Sequence, residues 1–126
     1  MLRVLTTDTV PYATRRYSQA FRDSSVLEWV DRSTTDSILS RGFLGRDQGT
    51  GQLFYIGVSP GAPPVAIAGE ASSGNTIEWS LLPGADGRHP FNRGLVHSRL
   101  TFVSRDRMDW RGAVEGGWHF VFERVR

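Results

Sequence analysis

Apolar and polar side chains alternate along most of this chain. Val96, Ser98, Leu100 and Phe102 share one face, with His97, Arg99 and Thr101 opposite. Met108, Trp110 and Gly112 repeat the pattern against Arg107, Asp109 and Arg111, and Trp118, Phe120 and Phe122 against His119 and Glu123. A period of two with one greasy side describes strands that cover a core on one face and meet water on the other. Turn-forming clusters interrupt it at DQGTG (47–51), SPGAPP (59–64), SSGN (72–75), PGADG (83–87), SRD (104–106) and EGG (115–117). The spacing predicts strands over 12–21, 24–30, 37–46, 52–59, 64–71, 75–82, 96–104, 107–113 and 118–125, with a short one near 2–6.

Turn lengths fix the expected pairing. Three-residue turns at 104–106 and 115–117 set Phe102 against Met108, Leu100 against Trp110 and Gly112 against Phe120. A three-residue turn at 72–74 turns Val65 and Ile67 inward, against Leu81 and Trp79, and leaves Glu70 outside. A turn one residue shorter or longer brings Glu70 inward, where apolar surroundings would raise its pKa and equip it as an acid or base. A flat sheet of this many strands has two open edges and a bare apolar face, and the second half of the chain offers no helix to cover it. The expected fold class is therefore all-β: a closed antiparallel meander barrel of about 8–10 strands. The segment 14–30 also fits helical spacing, with Tyr17, Ala20, Phe21 and Ser24 on one stripe. The alternative is thus an α+β curved sheet with an N-terminal helix, although Thr, Tyr, Ser and Val favour strand.

Two strands are apolar on both faces. Phe54, Ile56 and Val58 oppose Leu53 and Tyr55, and Ile38 and Leu44 oppose Leu39 and Phe43. One face belongs to the lumen. The other is expected to meet a second copy, giving a homodimer through 37–46 and 52–59, or to be covered by the N-terminal segment.

Composition narrows the chemistry. The 126 residues suit one domain, 1–126. No apolar run is long enough for a signal or a membrane span, so a cytoplasmic protein with no membrane partner is expected. There is no cysteine and no lysine, all fifteen basic residues being arginine. That excludes disulfides, thiolate nucleophiles, Schiff bases and a phosphate-loop lysine. The net charge is +2, and the arginines are interleaved with aspartates, as in SRDRMDWRG, so no nucleic-acid face is expected. Gly57-Val-Ser-Pro-Gly61 matches a hydrolase elbow, but Pro60 has no N–H for an oxyanion hole and no helix pattern follows. His97, His119 and Glu123 lie too far apart for a metal site. Neither metal nor cofactor is expected. His89 lies in the long Pro83–Leu95 segment, whose length suits a lid or binding loop.

The lumen candidates are the inward aromatics Trp29, Trp79, Phe102, Trp110, Trp118 and Phe120, with Arg15, Tyr17, Gln19 and Ser98 as polar contacts. Arg15 and Gln19 share a face with Tyr17 and Phe21. A buried arginine needs an anionic or carbonyl-bearing ligand, a partner such as Glu70, or a place at the rim.

RGFLGRDQGTGQLFYIGV and the ending GGWHFVFERVR together resemble the lipocalin-like (calycin) superfamily, especially its small bacterial barrels. The resemblance covers Tyr12 to the C-terminus. It implies that Arg124 stands where lipocalins pack a last-strand arginine beside a tryptophan from an N-terminal G-x-W. That G-x-W is absent and the first tryptophan is Trp29, which implies a shortened barrel or one closed by a second chain. The expected function is a binding barrel with an aromatic-lined lumen for an apolar or aromatic molecule. The alternatives are a cofactor-independent cyclase or isomerase of a polyketide- or polyene-like biosynthetic intermediate, with catalytic residues unassigned, and a filled barrel acting as an interaction module.

Overall fold

A computed structural model describes residues 2–5, 11–22, 25–82, 95–113 and 118–125. Every described element is a strand: β1 (Leu2–Leu5), β2 (Pro11–Gln19), β3 (Leu27–Arg32), β4 (Ile38–Arg46), β5 (Leu53–Ser59), β6 (Ala62–Ser73), β7 (Thr76–Leu81), β8 (Arg99–Ser104), β9 (Arg107–Arg111) and β10 (His119–Arg124). Each pairs antiparallel with its neighbour in sequence, and β1 pairs with β10 from Leu2↔Arg124 to Leu5↔Val121. The sheet thus closes into a ten-stranded meander barrel, as the alternation predicts. The four residues of β1 form the seam, so one chain suffices and no second is needed. The helical alternative fails: the described residues within 14–30 include β2 and β3, with Tyr17 paired to Trp29.

Aromatic side chains fill the core. Tyr55 lies parallel to Trp29 (centroids 5.1 Å, 11°) and edge-on to Trp110 (5.2 Å, 90°), while Trp79 packs 5.7 Å from Trp110. Offset and edge contacts of this kind suit the ring quadrupoles and add about 0.5–1.5 kcal/mol per pair beyond area burial. Such large rings fit because glycines face them. Gly42 and Gly57 are direct partners on β4 and β5, and the Trp29 ring lies against both.

Several boundaries and registers differ from expectation. The 96–104 strand begins only at Arg99. His97 takes a left-handed backbone (φ 65°) with its N–H on the Trp79 carbonyl, and Ser98 N–H turns back to the Leu95 carbonyl. Phe102↔Met108 and Leu100↔Trp110 pair as expected. Phe120, however, pairs with Trp110 rather than Gly112, and Ile67 and Gly69 pair with Leu81 and Trp79. Both slips are of two residues, which preserves the inward face. In β6 a bulge between Ala71 and Ser73 accompanies the shift. Glu70 stays outside, where its carboxylate accepts from Gln52 Nε2 at 2.8 Å.

The two-sided strands resolve clearly. Leu53, Tyr55 and Leu44 pack on the core, while Phe43, Ile56 and Val58 are exposed on the outer face. Leu39 and Ile38 exchange their expected sides, Leu39 packing on the core and Ile38 being exposed, because the pairing shifts from Asp31↔Ser40 to Arg32↔Ile38. Phe21 is not on the inner face. β2 ends at Gln19, and Phe21 lies outside, stacked on Phe43 (6.5 Å, 16°).

Candidate functional site

A cavity of about 430 Å³ opens at the end of the barrel where β3 turns into β4 and β5 into β6. In its wall lies a buried ion pair, Arg15 (6% exposed) and Asp31 (5% exposed). The two are direct cross-strand partners on β2 and β3. Arg15 donates from Nε to Asp31 Oδ1 (2.6 Å) and from NH2 to Oδ2 (2.8 Å), a two-pronged geometry that suits guanidinium and carboxylate. Ser40 Oγ on β4 donates to the same Oδ2 at 3.1 Å. Both carboxylate oxygens are therefore engaged.

The guanidinium is also held between rings. Its Cζ lies 4.1 Å from the Trp29 centroid, 5.2 Å from Phe122 and 5.7 Å from Tyr55. Cation–π attraction is strongest where water is excluded, as here. Lipocalins pack their arginine–tryptophan pair between the first and last strands. In this chain the buried pair comes from β2 and β3, whereas Arg124 is exposed near Asp106 (3.8 Å). Trp110, Trp118 and Phe120 complete the aromatic wall, with Tyr12 and Ser59 also lining the cavity.

Burial pushes the Tyr55 phenol well above the usual tyrosine range, and neighbouring Arg15 only partly offsets this. The folded state then keeps a proton that the unfolded chain loses near pH 10. A raised folded pKa contributes stability that is complete below the unfolded value and fades as pH rises beyond it. Denaturant midpoints should fall more steeply above about pH 10 in the wild type than in Tyr55→Phe. Equal slopes would contradict this.

No family model, no curated protein and no solved structure matches this chain. Among the described residues, no three His, Asp or Glu side chains gather to hold a metal ion, and no helix is long and apolar enough to cross a membrane.

The sequence candidates fall into three groups. Arg15, Trp29, Trp110, Trp118 and Phe120 line the cavity. Tyr17, Trp79 and Ser98 stand behind it. Tyr17 Oη accepts from Arg15 NH1 at 3.4 Å, Trp79 buttresses Tyr55 and Trp110, and Ser98 Oγ accepts from Trp110 Nε1 at 2.9 Å. Gln19 and Phe102 lie away from it. Gln19 ends β2 four residues beyond Arg15, and Phe102 is 43% exposed in a separate concavity with Arg46 and Asn75. Phe102 lies beyond the last β7–β8 pair, Thr76↔Thr101, and keeps a strand partner on one side only, Met108 of β9. Of the long segment, Leu95 lines the cavity, while Pro83–Gly94, with His89, lies outside the described residues. Asp31, Tyr55 and Ser40 were missed. Ending β3 at Val30 left Asp31 in a turn, yet Asp31 is two residues from Trp29 and so shares its face.

Proposed function

We propose that the barrel is a lipocalin-like binder that holds one small, flat, apolar or aromatic molecule in its lumen. The observation that carries this is the space left beside Trp29, Tyr55, Trp110 and Trp118 in an otherwise ring-packed interior. Its 430 Å³ falls within the range of about 300–1,000 Å³ usual for ligand pockets. A barrel acting only through its surface needs no such gap, because protein interiors otherwise close-pack. The binding reading is favoured over a cyclase or isomerase by the state of Asp31. Both of its oxygens are bonded, so it is no free base.

The outer face of β4 and β5 supports pairing with a second copy. Phe43, Ile56 and Val58 are exposed there, beside Arg41 and Glu28 (3.7 Å apart). A two-fold axis lets Arg41 of each copy meet Glu28 of the other, the self-complementarity such an interface needs. Native mass spectrometry of protein recovered from its host reads both features. The expected species is a dimer with one small molecule per chain, released on denaturation. An empty monomer would count against both.

A further inference from the structure

We propose that the molecule held in the lumen is uncharged and presents a carbonyl or quinone-type oxygen to Arg15. The inference rests on the binding reading above and concerns the ligand's polar handle. A guanidinium carries five N–H bonds. In Arg15 three are committed, to Asp31 Oδ1, Asp31 Oδ2 and Tyr17 Oη. One N–H remains on each of NH1 and NH2; the Tyr55 oxygen lies close enough to Arg15 to accept from one of them, which leaves the other for a ligand, and Arg15 lines the cavity. The clamp between Trp29 and Phe122 fixes where those donors point. Tyr55, its phenol kept protonated by burial, adds an O–H on the same wall. This wall of the cavity is thus rich in donors, and the carboxylate among its described lining residues is already engaged.

Charge selects among acceptors. Arg15 and Asp31 already neutralise each other. An anionic ligand would set a second negative charge against Asp31 in a dry site, and a cation would face Arg15; both arrangements are costly. A neutral oxygen accepts the spare N–H bond without adding charge. The aromatic walls take the rest of a flat ring system by stacking.

Equilibrium dialysis with three probes on one tricyclic frame tests this: fluorenone, fluorene and fluorene-9-carboxylate. Fluorenone is expected to bind at least about tenfold more tightly than either of the others, the scale of a hydrogen bond to a charged donor. In the double variant Arg15→Met/Asp31→Leu, which removes both charges but keeps the Tyr55 O–H, fluorenone should lose most of its advantage over fluorene. Tyr55→Phe, which keeps the ring, should weaken fluorenone and leave fluorene unchanged. If fluorene equals fluorenone in the wild type, or the carboxylate binds best, the carbonyl handle is overturned while the pocket stands. If none of the three binds, the binding reading itself fails, and this inference with it.

Discussion

Replacing Asp31 with alanine is expected to remove about 3–5 kcal/mol of folding stability. That is a large part of the roughly 5–15 kcal/mol a domain of this size possesses. The loss comes from what remains behind. Arg15 would stay 6% exposed, with its charge uncompensated and two of its N–H bonds stripped of their acceptor. Ser40 Oγ would lose its acceptor as well. Removing both charges should cost far less, because apolar side chains of similar volume satisfy a dry interior without partners. Urea denaturation of Asp31→Ala beside Arg15→Met/Asp31→Leu measures the difference. A double variant as unstable as the single would show that the penalty is lost attraction rather than a stranded charge.

Gly42→Val should be nearly as damaging, for a steric reason. A Cβ at Gly42 would overlap the Ile56 carbonyl oxygen and lie 2.7 Å from Trp29 Cζ2 and 2.8 Å from Gly57 Cα. Two of these neighbours are backbone, so no side-chain rotation relieves the clash. Overpacking usually costs about 1–3 kcal/mol. Here the strands themselves must part, so the upper end or more is expected, a fall in Tm of about 10 °C or more. Gly74→Ala is the control, since nothing lies within 4 Å of a Cβ there. Scanning calorimetry of the two variants decides the matter. A Gly42→Val protein melting with the wild type would mean that β4 and β5 are not opposed as described.

The barrel was legible because strand periodicity is local. Trp110 and Phe122 each sit in a clean run of two, so their inward direction follows without knowing what they touch. Register was less legible. Bulges, as between Ala71 and Ser73, insert residues that no composition signals, and the pairing then slips by two. Such a slip keeps a side chain on its face but changes its partner, which is why Glu70 stayed outside while Trp79 met Gly69 rather than Ile67. The ion pair was half legible. Arg15 stood out as a charge on an apolar face. Glu70 was offered as its partner because the expected strand 24–30 stops one residue short of Asp31. Only the extension of β3 through Arg32 brings Asp31 opposite Arg15. Phe21 and Phe102 went astray for different reasons: Phe21 lies past the end of β2, while Phe102 sits in β8 beyond its last pair with β7, where the strand leaves the side chain exposed.

The seam between β1 and β10 also bears on how the protein matures. Val4 from β1 and Phe120 and Phe122 from β10 all line the cavity, though they are separated by most of the chain. The ribosome delivers β10 more than a hundred residues after β1, so the chamber comes into being only after that late annealing. Any molecule held there would meet its complete set of walls only in the closed barrel, and would then slow the reopening of that seam.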